Sequence, residues 1–126
     1  MLENKDYCDY ETCVALKELG YVGICDAYYE LTGSKDYNRD SFKLLYTRDF
    51  IHPDDIDRVA APLLYQAQKW LREEKGVIVD TIINYTTQEF DYFVSTWSED
   101  RCRGNKYTTY ENALLRGIKE AVKILK

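Results

Sequence analysis

Residues Ala61–Gly76 read APLLYQAQKWLREEKG, a stretch whose start, finish and buried side are all written in its letters. Pro62 suits the first helical position, where no N–H is needed and the fixed φ is already helical. Gly76 suits the left-handed residue that closes a helix. Between them Leu63, Leu64, Ala67, Trp70 and Leu71 recur at the 3.6-residue period of one apolar stripe. Gln66, Gln68, Lys69, Arg72 and Glu73 fill the opposite side. The stripe makes Trp70 an expected anchor of the core, and each large apolar side chain buried there contributes about 1.5–3 kcal/mol.

On the C-terminal side, Val77–Tyr85 (VIVDTIINY) alternates as a strand with apolar groups on both faces, which predicts a central position in a sheet. A turn at Thr86-Thr87-Gln88 leads to Glu89–Trp97 (EFDYFVSTW), and the two runs read as an antiparallel hairpin. Ser98–Lys106 (SEDRCRGNK) reads as a charged loop. Thr108-Thr109-Tyr110-Glu111 reads as a capping box. It opens a last helix with Tyr110, Leu114, Gly117, Ile118, Ala121 and Leu125 along one face. Gly117 inside it costs about 1 kcal/mol against alanine, which a close approach to the sheet or to Trp70 would offset.

On the N-terminal side, Asp9 caps a helix Tyr10–Leu19 that ends at Gly20. Cys25–Leu31 alternates as a strand, Thr32–Ser41 is a polar loop, and Phe42–Tyr46 returns as a second strand. Thr47–Arg58 is irregular. The order is α-β-β-α-β-β-α, with no convincing internal repeat, although the element order nearly repeats after residue 60. The expected fold is α+β: a mostly antiparallel four-stranded sheet with helices packed on one face, in a single domain over residues 1–126. Leu63, Trp70, Ile83 and Ile118 are expected to share its dry interior.

A chain of 126 residues supports one sizeable core. No run approaches the roughly 20 apolar residues of a membrane span, and MLENKDYCDYE at the start is polar and acidic, so a cytoplasmic location without membrane contact is expected. The net charge of −5 argues against a general nucleic-acid coat protein. Charge is uneven, however: residues 1–61 hold thirteen acids against seven bases, and residues 101–126 hold seven bases against two acids. Arg101, Arg103, Lys106 and Tyr107 are therefore the candidate patch for a nucleic-acid backbone or a partner.

Cys8, Cys13, Cys25 and Cys102 lack the paired spacing of a zinc site and read as reduced thiols. Cys102, between Arg101 and Arg103, is expected to have its thiolate favoured. His52 with Asp54, Asp55 and Asp57 offers an imidazole and carboxylates for a divalent cation, but no second histidine exists and the same letters suit a solvated helix start. No Walker loop, GxGxxG or nucleophile elbow is present. No catalytic, cofactor or metal residue is assigned, and no enzymatic activity is expected. The twelve tyrosines exceed what a core of this size can bury. Surface tyrosines favour contacts with other chains, so the expected role is an accessory protein acting by protein–protein contact, as a homodimer or on another protein.

ALKELGY (Ala15–Tyr21), the Tyr28-Tyr29 pair, APLLYQAQKWLREEKG (Ala61–Gly76) and YENALLRGIKEAVKIL (Tyr110–Leu125) together resemble a group of small proteins of Bacteroides-type gut bacteria. These are often found in prophage or other mobile-element neighbourhoods. The resemblance spans most of the chain and implies one α+β domain in a cytoplasmic bacterial or phage protein, and it carries over no activity or ligand residues. A second, shorter segment, FIHPDDIDRV (Phe50–Val59) after AYYELTGSKDYNRDSF, is similar to the part of PAS sensor domains that reads His-Pro-Asp-Asp before a helix. That likeness implies a small-ligand sensor, although the following helix and the hairpin turn depart from the PAS pattern.

Overall fold

The Asp9 carboxylate accepts the Thr12 N–H at 3.0 Å, and helix α1, Tyr10–Glu18, begins there. It closes at Gly20, whose φ of 93° lets the Tyr21 N–H reach the Leu16 carbonyl (2.9 Å) while its own N–H reaches Lys17 (3.0 Å). Both ends thus lie where the sequence predicts. The computed structural model describes residues 3–22, 25–30, 44–47, 51 and 58–126. They gather into two units, Met1–Leu63 and Leu64–Lys126.

In the first unit, strand β1 (Ala27–Glu30) buries Ala27 and Tyr29 and turns Tyr28 and Glu30 outward, the alternation its letters show. It lies between β2 (Leu44–Tyr46) and β3 (Arg58–Ala60), antiparallel to both, with Ala27 opposite Tyr46 and Tyr29 opposite Val59. The sequence reading has no β3, because three residues, RVA, are too few to show a period. Pro62 also differs from expectation. It sits in extended chain before the helix, accepts the Cys8 N–H at 2.9 Å, and precedes a bridge from Leu63 to Tyr7. A proline's fixed φ of about −65° suits extended chain as readily as the first turn of a helix.

In the second unit, helix α2 spans Leu64–Lys75 and buries Leu64, Ala67 and Leu71. Gly76, at φ 66°, closes it as predicted. Trp70 is only half-buried, at the margin of the stripe, with the Lys75 ammonium 5.6 Å from its ring centre. Leu71, not the indole, anchors this face. Strands β4 (Val77–Asn84), β5 (Glu89–Thr96) and β6 (Asp100–Tyr107) form an antiparallel sheet in that order. The central strand is therefore β5, and β4 lies at one end, its Val79 carbonyl taken by the Gln68 side-chain amide at 2.7 Å.

The expected charged loop is strand β6. Its period of two is hidden because the inward positions are Cys102 and Gly104, and because the register slips between Phe90 and Tyr92 and again between Val94 and Ser95. The described residues thus hold two three-stranded sheets in the order α-β-β-β-α-β-β-β-α, in place of the single four-stranded sheet. The matching order in the two halves is not a duplication, since the first sheet runs β2-β1-β3 and the second β4-β5-β6.

Helix α3, Tyr110–Leu125, is capped by Thr109, whose hydroxyl accepts the Asn112 N–H at 3.1 Å, one residue later than the predicted box. Ala113, Leu114, Gly117, Ile118, Ala121 and Val122 are buried. Of the four side chains expected in one interior, Leu63 and Ile118 are buried, Trp70 is half-buried and Ile83 is 45% exposed. Gly117 makes the expected close approach to the sheet: a Cβ there would lie 2.6 Å from Val79 Cγ1 and 3.4 Å from the Tyr92 ring. Gly117→Ala is therefore expected to destabilise the protein by about 1–2 kcal/mol, overpacking outweighing the gain in helix propensity. In a Val79→Ala background the same change should become neutral or stabilising, a sign reversal that urea unfolding of the four proteins would read.

Candidate functional site

The four residues singled out for contact, Arg101, Arg103, Lys106 and Tyr107, all lie on β6, and the strand separates them. Arg103 stands beside Phe93 on the face of the sheet away from Tyr92 and Val94, and binds the Asp100 carboxylate at 3.2 Å. Arg101 sits at the register slip and binds Glu99 at 3.2 Å. Lys106 has a left-handed backbone, φ 72°, and is exposed. Tyr107 is half-buried, its ring tilted against Tyr92 at 5.7 Å. Two of the three cations thus carry a carboxylate partner, Glu99 just before the strand and Asp100 at its start, which offsets much of the charge that a phosphate backbone would meet.

Cys102 behaves differently from expectation. Strand alternation carries it to the face covered by α3, opposite Val94, while Arg103 goes to the other face. Burial first, then Glu120, pushes its thiol up, with Arg116 pulling the other way. Its thiol is thus held protonated near neutral pH. A shallow depression beside it is lined by Arg101, Cys102, Glu120, Lys123 and Ile124. Glu120 there is already held by Arg116 at 2.9 Å and Lys123 at 3.4 Å.

The other three cysteines are buried in the first unit and form no disulfide there. Cys13 Sγ donates to the Cys8 carbonyl at 3.5 Å, and Cys25 Sγ lies 3.8 Å from the Tyr21 hydroxyl. Burial raises the thiols of Cys13 and Cys25 and the phenols of Tyr21 and Tyr29. Tyr29 also donates to the Cys8 carbonyl at 3.1 Å. Among the described residues no three His, Cys, Asp or Glu side chains are grouped to hold a metal ion. His52, Asp54, Asp55 and Asp57 lie outside the described residues, as does most of the PAS-like segment. The helix–sheet interface where a sensor would keep its cavity is filled around Gly117 by Val79 and Tyr92.

The tyrosines divide by environment. Tyr7, Tyr21, Tyr29 and Tyr92 are buried, Tyr10, Tyr28 and Tyr107 half-buried, and Tyr46, Tyr65, Tyr85 and Tyr110 exposed; Tyr37 lies outside the described residues. Several pair edge-on, as in Tyr7 with Tyr46 and Tyr10 with Tyr29, so part of the excess serves packing. The exposed four come from separate elements. What the sequence reading missed is the uncovered face of the second sheet. There Ile78 and Phe93 are half-buried and Ile82 is 52% exposed, with Tyr85 (86%) and Trp97 (80%) in the turns at its two ends. The signal was the apolar character of both faces of Val77–Tyr85, which fits an end strand with a sticky side as well as it fits a central strand.

No family model, curated protein or solved structure matches this chain. Among the described residues no helix is long and apolar enough to cross a membrane.

Two measurements check the electrostatics. In native protein at pH 7.5, a disulfide reagent should titrate Cys102 alone, more slowly than a free thiol, with four thiols appearing on denaturation; Cys102→Ser should remove the native reaction. Because burial raises Tyr21, Tyr29, Cys13 and Cys25, the unfolded chain loses those protons first as pH climbs. Stability should be fully present below about pH 8.5 and decline above it, first through the thiols and then the phenols. Urea midpoints at pH 7.5 and 10.5 would show this.

Proposed function

We propose that this chain is a non-catalytic accessory protein that works by protein–protein contact, its own copy being the first partner. The observation that carries the reading is the face of the β4-β5-β6 sheet that α3 leaves uncovered, which holds Ile78, Ile82 and Phe93, with the exposed Tyr85 and Trp97 in the turns beyond its strands. Exposed apolar side chains interleaved with charge on one face suit a protein contact site, and exposed aromatic side chains carry a large share of contact energy. The thiols raised by burial are poor nucleophiles near neutral pH, which favours a binding role for this part of the chain. An accessory role in a phage or mobile element accords with the resemblance carried by Ala15–Tyr21, Ala61–Gly76 and Tyr110–Leu125.

Nucleic-acid contact through residues 101–126 has in its favour the seven bases against two acids of that segment. The carboxylate partners of Arg101 and Arg103 weigh against it. Light scattering on a sizing column, from 10 μM to 1 mM, tests the leading reading. A mass rising toward twice the chain's 14.9 kDa is expected, and an Ile82→Ser/Tyr85→Ser/Trp97→Ser variant should stay nearer the monomer. A monomer at every concentration, joined by salt-sensitive binding to DNA or RNA that Arg101→Ala/Arg103→Ala abolishes, would reverse the order of the two readings.

A further inference from the structure

The register of the second sheet places Asp80, Phe93 and Arg103 in one row across β4, β5 and β6. All three belong to the face that α3 does not cover, since α3 packs on the side of Val79, Tyr92 and Gly104. Asp80 is exposed, the Arg103 side chain is 71% exposed, and Phe93 is half-buried between them. With strands about 4.8 Å apart, the acid and the guanidinium flank the ring with their Cα atoms about 10 Å from each other. Ile78 and Ile82 lie on either side of Asp80 along β4.

We propose that this face binds the same face of a second copy of the chain, about a two-fold axis nearly parallel to β5. Asp80 of each copy then meets Arg103 of the other, with the two Phe93 rings between them. The inference rests on the protein-contact reading and adds the partner and the geometry. Charge decides the axis. A rotation about a line along the strands exchanges the two outer strands and lays β4 of one copy over β6 of the other, acid on base. A rotation about a line across the strands lays Asp80 on Asp80 and Arg103 on Arg103. Of these two rotations only the first sets the outer strands acid on base, as an isologous interface favours.

The local chemistry permits the exchange. Arg103 is held by Asp100 at 3.2 Å, but with side chains 71% and 66% exposed that pair contributes little and can be traded for a better-shielded one. Asp80 accepts the Thr81 N–H at 2.8 Å, which fixes its carboxylate at the sheet surface. Facing sheets pack about 10 Å apart, within reach of an arginine, whose methylene stem also covers the partner's isoleucines. Asp91 and Glu89, two and four residues from Phe93 on the same face of β5, are the like-charge approaches in this arrangement. Three strands of eight residues give a face smaller than the ~800 Å² per partner of a standard interface, so association in the range of tens to hundreds of micromolar is expected.

Sedimentation equilibrium of the full chain from 10 μM to 1 mM, with circular dichroism to confirm folding, tests the proposal. Asp80→Arg and Arg103→Asp should each weaken the dimer at least tenfold. The double exchange should restore it to within threefold, and Asp91→Asn should tighten it. Should either exchange unfold the chain, Asp80→Asn and Arg103→Gln should each weaken the dimer severalfold. A monomer at 1 mM overturns both this inference and the choice of the chain's own copy as partner. A dimer indifferent to the single changes overturns the face alone and leaves the contact reading standing. Single changes that weaken without rescue in the double overturn the Asp80–Arg103 pairing.

Discussion

The ring of Tyr92 fills space that two glycines leave, and the second unit is arranged around it. On one side it lies over Gly104 of β6, where any Cβ would overlap the ring; on the other it lies against Gly117 of α3. A large aromatic on the middle strand therefore fixes how closely a neighbouring strand and a covering helix can approach. The glycine in β6 would weaken an ordinary strand, and the glycine in α3 an ordinary helix. Here each lacks a side chain because Tyr92 and Val79 supply the packing atoms in its place. The register slips on either side of the Gly104 pairing follow the same logic, since a strand bent over a ring cannot keep an even ladder.

Helix ends were the most legible part of the fold. Asp9, Gly20 and Gly76 stand where their backbone chemistry requires, and the buried stripe of α3 follows from its spacing. Strands were legible where six or more residues alternate without interruption, as in β4 and β5. They were lost where the pattern is short or broken. The triplet Arg58–Ala60 has no room to show a period, and β6 presents charges outward and small residues inward, so it reads as loop. Pro62 misled because its ring suits an extended approach to a helix as well as the first turn itself.

Of the candidate site, the residue types were readable and their directions were not. Arg101 and Arg103 flank Cys102 in sequence, which invites a picture of one cationic pocket. The strand sends Arg103 to the opposite side and Glu99 holds Arg101, so the thiol came under the influence of Glu120 and Arg116, residues that only the fold brings near. The open face was unreadable for a related reason. Which side of a strand is covered depends on the helix laid across it, and Val77–Tyr85 is apolar on both.

Gln68 bears on how the second sheet could be extended. By occupying the Val79 carbonyl it places a side chain where the next strand of an extended ribbon would hydrogen-bond. The opposite margin is β6, kinked by its register slips and by the left-handed backbone of Lys106. Neither margin is a flat template for another chain. Extending the sheet past β4 requires Gln68 to give up that carbonyl, and extending it past β6 requires those kinks to be straightened, so each margin sets a cost on the lateral addition that spins proteins into fibres.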